Sequence, residues 1–123
     1  MRQIRDRDTK PELVVRSLIH RMGFRYRLHH QGLPCKPDIV LVSRGKIIDV
    51  RGCFFHQHMG CIDGRIPQSR REYWFPKLMN NVQRDASNLR AWRKLGWSVL
   101  IVWECEIKRL PRLLRKLARF VAE

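Results

Sequence analysis

The sequence has no apolar run approaching the roughly 20 residues needed to cross a bilayer. Its first ten residues, MRQIRDRDTK, are charged where a secretory signal would be apolar. A membrane-bound or exported protein is therefore not expected, and the cytoplasm is the expected compartment. Repeats, low-complexity tracts and a linker are missing as well, so the 123 residues are expected to form one domain, 1–123, around a single core. Acidic residues are scarce: 11 Asp and Glu stand against 26 Lys and Arg, for a formal net charge of +15 and a pI near 11.0. That imbalance calls for a polyanionic partner. The basic residues are spread along the chain rather than gathered on one amphipathic helix, so nucleic acid fits better than a membrane surface. A ribosome-like or merely soluble basic protein is the plain alternative. Cysteine is sparse too. Cys35, Cys53, Cys61 and Cys105 would permit two disulfides, but nothing suggests export, and cysteines clustered with histidines in a reducing compartment more often bind metal.

What is present reads as helix, strands, loop, long helix, strand, helix. Thr9 to Met22 opens with Thr-x-x-Glu (Thr9, Glu12), a capping-box pattern, carries Leu13, Val14, Leu18, Ile19 and Met22, and stops at Gly23. FRYRLH, from Phe24, alternates apolar and basic residues as a half-buried strand does. PDIVLV, SRGK and KIIDV follow as a hairpin. A helical pattern from Phe75 to Leu95, with Leu78, Val82, Leu89 and Trp92, ends at Gly96. WSVLIVW is then a continuous apolar run of the kind found in buried strands, and Leu110 to Val121 has leucines at helical spacing with a basic opposite face. Cys35 is read as a small packing residue. The expected architecture is mixed α/β, a small central sheet covered by helices.

Three groups of residues carry chemistry. Asp38 and Asp49 lie on neighbouring strands of the hairpin, and alternation puts Asp49 and Arg51 on one face with Ile48 and Val50 on the other. Two carboxylates with a cation two residues on can hold Mg²⁺ against a phosphate. The spacing is that of the Pro-Asp … Asp/Glu-x-Lys signature of restriction-endonuclease-like nucleases, with Arg51 in the lysine position. A strand-capping Asp38 and a solvated Asp49 would explain it equally. Next, VRGCFFHQHMGC (residues 50–61) holds Cys53, His58 and Cys61, three of the four ligands of a tetrahedral zinc site, with Cys105 a fourth candidate after the apolar strand. With no open position such a zinc would be structural. Free buried thiols with an exposed His58 are the alternative.

The third group is His56 with Asp85. A histidine oriented by a carboxylate serves as a general acid or base near neutrality, but spacing alone does not pair these two. Beside them, Phe54 and Phe55 stand together in a loop of a basic chain, where adjacent aromatics either enter the core or wedge between base pairs.

Taken together, MRQIRDRDTKPEL, LPCKPDIV, GCFFHQHMGC, SRREYWFPKLMNNVQRD and LGWSVLIVWECE resemble, in order and over nearly the whole chain, the Vsr family of very-short-patch-repair endonucleases, bacterial enzymes that nick DNA at T·G mismatches. The resemblance implies a single restriction-endonuclease-like α/β domain with a structural Zn²⁺ on Cys53, His58, Cys61 and Cys105. It implies Asp38 as the central Mg²⁺ ligand beside the backbone carbonyl of Val50, with Asp49 a further candidate and Glu12 an active-site acid. It pairs His56 with Asp85, His56 activating the attacking water. It makes Met1, Phe54 and Phe55 the residues that intercalate next to the mismatched thymine. Expected partners are double-stranded DNA carrying a T·G pair and, as candidates, mismatch-repair factors; the chain is expected to be a monomer at the bacterial nucleoid.

Three departures accompany the resemblance. Arg51 stands where family repair enzymes commonly carry a catalytic histidine, and Phe55 where they carry tryptophan. The chain also begins at the intercalating methionine, so the leading segment usual before it is expected to be absent. Arginine does not deprotonate in a protein, which removes acid–base duty at that position and leaves binding and neutralising of a phosphate oxygen. Two other readings therefore stand beside mismatch repair: a Vsr-like homing or mobile-element nuclease cutting matched duplex, and a catalytically inactive, zinc-stabilised DNA-binding module.

Overall fold

The fold is seen in a computed structural model that describes residues 9–28, 30, 32–61 and 68–123. Among these, α1 spans Lys10–Arg21, β1 Arg27–Leu28, β2 Ile39–Leu41, β3 Lys46–Arg51, α2 Arg71–Lys94, β4 Ser98–Trp103 and α3 Leu110–Ala122. The strands form one sheet in the order β1-β2-β3-β4. β1, β2 and β3 run antiparallel, the β2–β3 pair as the expected hairpin, while β4 lies parallel to β3 in the register Lys46↔Ser98 to Arg51↔Trp103. A parallel neighbour needs a long crossover, and the segment containing α2 supplies it. The mixed α/β architecture is as expected.

Strand alternation divides the core between the two faces of the sheet. Ile39, Leu41, Ile48 and Val102 meet Val15 and Ile19 of α1 and Leu113, Leu117 and Val121 of α3. Val40 and Ile47 turn the other way, onto Trp92 of α2, Leu33, Trp97 and Val99. Asp49 and Arg51 continue the second set, the face away from Ile48 and Val50. At the far end of the hairpin, Arg44 donates to the carbonyl of Val121 (2.9 Å), and Lys46 to those of Phe120 and Glu123, so two cations satisfy the orphan carbonyls that end α3.

Several local expectations need correction. Thr9 does precede α1, but its side chain makes no capping bond; Glu12 is 2% exposed and pairs instead with Arg16 at 2.7 Å. Pro11 in the first turn, with its φ already helical, starts the helix without the box. The buried stripe of α1 runs through Val15 and Ile19, and Leu13 is exposed. α2 begins four residues before Phe75. The amides of Tyr73 and Trp74 bond to the Arg70 carbonyl, so Pro76, which resembles a helix-start signal, sits one turn inside. β1 pairs over two residues only, and Val82 remains exposed. β4 is an edge strand among those described, half-buried apart from the fully covered Val102 and the exposed Ser98; its apolar run reflects helices on both faces rather than complete burial. Cys35 is exposed with φ 65°, followed by Lys36 at φ 41°, so it forms part of a tight bend and packs nothing. The indole of Trp92 donates to the Pro34 carbonyl at 2.7 Å, tying that bend, and with it the approach to Asp38, to α2.

Candidate active site and metal centre

Asp38 sits at the entrance to β2, opposite the end of β3. Its Oδ2 accepts the backbone N–H of Val50 at 3.0 Å, extending the β2–β3 ladder by one side-chain bond. A strand residue turns its carbonyl toward the same edge as its N–H, so the Val50 carbonyl also faces the Asp38 side. Burial pushes the Asp38 carboxyl up to about 8, helped by the negative charge of Asp49 and, more weakly, of Glu12, against the opposing effect of the Val50 N–H. A buried carboxyl held up by its burial and by two neighbouring carboxylates is what a divalent cation relieves. The donor set Asp38, Asp49 and Glu12, all hard oxygen, fits Mg²⁺ chemically.

Two of these acids already have cationic partners. Glu12 pairs with Arg16, and Asp49 Oδ2 lies 2.9 Å from Arg51 Nε. The guanidinium of Arg51 is buried, 5.7 Å from the centre of the Trp103 ring, and its Nη2 has no hydrogen-bond partner among the described residues.

β3 then gives way to a run of turns. His56 N–H bonds to the Gly52 carbonyl (3.1 Å) and His58 N–H to the Cys53 carbonyl (2.9 Å), with Gln57 at φ 51° between the two histidines. This reversal separates their directions. His56 Nδ1 lies 2.6 Å from Asp85 Oδ2, so the carboxylate holds one ring nitrogen and leaves Nε2 for a substrate. Four residues earlier on α2, Asn81 Nδ2 donates to the Phe55 carbonyl at 3.0 Å, and Trp74, on the same helix face, packs edge-on against Phe54 at 5.2 Å. Sequence reasoning named Asp85 but missed Asn81 as the anchor of the loop, and missed Trp74 altogether; their shared spacing with Asp85 on one helix face was the available signal. Phe54 and Phe55 touch each other at 4.9 Å and are half-buried in this aromatic cluster. Met1 lies outside the described residues.

On the other side of the turn, one ligand atom from each of Cys53, His58, Cys61 and Cys105 lies within 4.8 Å of the rest. Bonds of about 2.3 Å to sulfur and 2.0 Å to nitrogen at tetrahedral angles place ligand atoms roughly 3.5–3.8 Å apart. Cys53 Sγ and Cys105 Sγ are 3.7 and 3.5 Å from His58 Nδ1, which fits a metal of that size. All four cysteines are free thiols, so the disulfide alternative does not arise. Burial pushes the Cys53 thiol up to about 12 and raises Cys105 as well, so these sulfurs ionise readily only with a cation between them. Trp103 stacks flat on the His58 ring, 4.1 Å between centroids at 10°, and so links this cluster to Arg51. The turn carrying Cys105 is fixed by Glu106, which accepts the Trp103 N–H at 2.9 Å and pairs with Lys116 at the same distance.

Among the described residues, then, the structure brings together Asp38, Asp49, Glu12 and Arg51, pairs His56 with Asp85, and gathers the four Cys/His ligands. Known proteins resemble the chain as a whole. The family model for DNA mismatch endonuclease Vsr matches residues 1–61. A type II nicking enzyme of Xanthomonas oryzae pv. oryzae is 47% identical over 113 residues, 92% of this chain and 82% of that protein. A second type II nicking enzyme, from Neisseria meningitidis, is 38% identical over 123 residues, 100% of this chain and 87% of its own. The DNA mismatch endonuclease Vsr of Escherichia coli is 38% identical over 113 residues, 92% of this chain and 72% of that protein. The chain belongs to the Vsr family and is a DNA-nicking endodeoxyribonuclease.

Proposed function

We propose that the protein nicks one strand 5′ to the thymine of a T·G mismatch, in a Mg²⁺-dependent hydrolysis that leaves a 5′-phosphate and a 3′-hydroxyl. The observation that carries this reading is the 2.6 Å bond joining His56 to Asp85, 29 positions apart, on the turn that leaves β3, the strand whose Val50 N–H bonds Asp38. A buried carboxylate group followed directly by an oriented histidine is suited to phosphodiester hydrolysis. That a family member carries the name of a mismatch endonuclease favours mismatched duplex as the substrate.

In this scheme Asp38 and the Val50 carbonyl would hold Mg²⁺, with Glu12 orienting the site from α1. The ion, when bound, supplies Lewis-acid stabilisation of charge on the phosphate. His56 Nε2 takes a proton from the attacking water while Asp85 retains the proton on Nδ1. The water oxygen bonds to phosphorus, the bond to the 3′ oxygen breaks in line, and that oxygen is protonated by solvent. Cys53, His58, Cys61 and Cys105 hold a structural Zn²⁺ that fixes the His56 turn against the end of β4. Met1, Phe54 and Phe55 enter the stack beside the mismatch. For the two phenylalanines this means parting from Trp74, at about 0.5–1.5 kcal/mol for each aromatic contact given up, a loss that base stacking on the freed rings offsets.

The test is nicking of one duplex sequence in T·G, A·T and G·C versions, with Mg²⁺ and with EDTA. Cleavage of the T·G duplex alone, and only with Mg²⁺, is expected. Equal cleavage of the matched duplexes would replace mismatch repair by the homing-type activity, and binding without product would point to an inactive module.

A further inference from the structure

In SRREYWFPK three aromatic residues lie between two arginines and a lysine, and the fold turns them into part of a row of rings. Phe55 meets Phe54 at 4.9 Å, Phe54 meets Trp74 at 5.2 Å and Trp74 meets Tyr73 at 5.1 Å, each pair edge to face. The first two rings are those assigned to the wedge. Tyr73, at the outer end, is 43% exposed and belongs to neither core cluster. An aromatic ring kept at the surface among cations suits a nucleic-acid contact better than it suits packing.

Two cations converge on that ring. The Arg70 guanidinium lies 4.8 Å from its centre and Lys77 Nζ 4.7 Å. Arg70 reaches it from a left-handed backbone, φ 56°, which an arginine adopts at a cost, and the Arg70 carbonyl takes the Tyr73 N–H at 3.0 Å. Neither cation has a carboxylate partner among the described residues, so two like charges share one ring with no anion between them. Lys77 Nζ also donates to the Tyr73 hydroxyl oxygen at 3.1 Å. That bond uses one lone pair of the oxygen and leaves the O–H free to donate. Lys77, by this bond and then by its charge, and Arg70 more weakly, hold the phenol below its ordinary range, which makes the O–H a stronger donor.

We propose that Tyr73 grips the DNA backbone: its hydroxyl donates to a non-bridging oxygen of one phosphate beside the wedge, with Arg70 and Lys77 supplying the positive charge around it. A phosphodiester spreads one negative charge over two such oxygens, which suits one O–H donor and two cations. The contact positions the duplex and reads no sequence of its own. Ring distances of 5.2 and 5.1 Å keep Tyr73 within about 10 Å of Phe54, and a strand rises about 3.4 Å per nucleotide, so the phosphate lies within about three nucleotides of the step that Phe54 enters. That location rests on the reading of Phe54 and Phe55 as the wedge; the contact itself rests on DNA binding alone.

Tyr73→Phe keeps the ring, its contact with Trp74 and both cations, and removes only the hydroxyl. Fluorescence anisotropy at fixed salt should show T·G duplex affinity lowered about three- to tenfold, with melting temperature and zinc content as in wild type. An uncharged methylphosphonate placed at each phosphate in turn then finds the partner. At one phosphate within about three nucleotides of the mismatch, the loss caused by the methylphosphonate should be smaller in Tyr73→Phe than in wild type by that same factor. Elsewhere the two changes should add. Tyr73→Phe affinity within about twofold of wild type, or additivity at every phosphate, would overturn the proposal. A partner phosphate farther off would refute the placement beside the wedge. Phe54→Ala, read by the fluorescence of 2-aminopurine next to the mismatch, tests the wedge separately. If that variant unstacks the base as wild type does, the wedge reading fails, and the Tyr73 contact still stands or falls on the phosphate scan.

Discussion

Replacing Asp85 by Asn isolates the tautomer-setting contact. The side chain keeps its size, so α2 and the Asn81 anchor are undisturbed, but the charge facing His56 Nδ1 is gone. An asparagine oxygen facing the ring keeps the Nδ1 proton without the electrostatic support. An asparagine NH₂ facing it drives the proton to Nε2 and leaves no base for the attacking water. The contact is short, 2.6 Å, with Asp85 12% and His56 31% exposed, so water screens it only in part. A hydrogen bond to a charged group contributes ~1.5–3 kcal/mol, and ~1.36 kcal/mol is tenfold in rate, which predicts a loss of about 10- to 150-fold. The larger values go with the wrong tautomer. The rate of nicking with protein in excess over a T·G duplex measures it, while fluorescence anisotropy should show unchanged duplex binding. A rate within about twofold of wild type at equal binding would mean that the His56–Asp85 bond is structural and that another group activates the water.

Cys105→Ser should lower bound zinc below one equivalent and lower the melting temperature, since metal-binding free energy at such a site is folding free energy; wild-type protein free of zinc by elemental analysis would end the ligand assignment. The Asp38 carboxyl gives a pH dependence with a definite sign. Burial and the Asp49 charge raise it from 3.8 to about 8, so in metal-free protein its contribution to stability is greatest at low pH and is lost as pH rises through about 8. A divalent ion must displace that proton below about pH 8. Mg²⁺ affinity should therefore climb toward tenfold per pH unit on the acid side and level off above, and Asp49→Asn should move the break to lower pH. A flat profile by isothermal titration calorimetry would place the ion elsewhere.

Much of this was legible because it is local. The hairpin that carries Asp38 and Asp49 follows from strand alternation around a four-residue turn, and the Cys53, His58 and Cys61 spacing already describes most of a tetrahedral site. Pairing His56 with Asp85 was not legible from spacing, since it depends on how α2 crosses back over the sheet; only family resemblance suggested it. The helical pattern read from Phe75 began late because α2 starts before its apolar spacing does, and the bonds that decide its start go to the Arg70 carbonyl. The capping box misled because Glu12 has a buried salt bridge available that outweighs an exposed bond to its own helix start. Trp74 escaped notice because an aromatic at helical spacing looks like core, whereas its neighbours are the phenylalanines of a loop far off in sequence.

The central claim is that chemistry happens at Asp38. Asp38→Ala, assayed in one preparation for nicking of the T·G duplex, duplex binding and zinc content, tests it most directly. The account predicts that nicking is abolished while duplex binding and zinc are retained. Nicking at the wild-type rate by that variant, with zinc and binding intact, would contradict it.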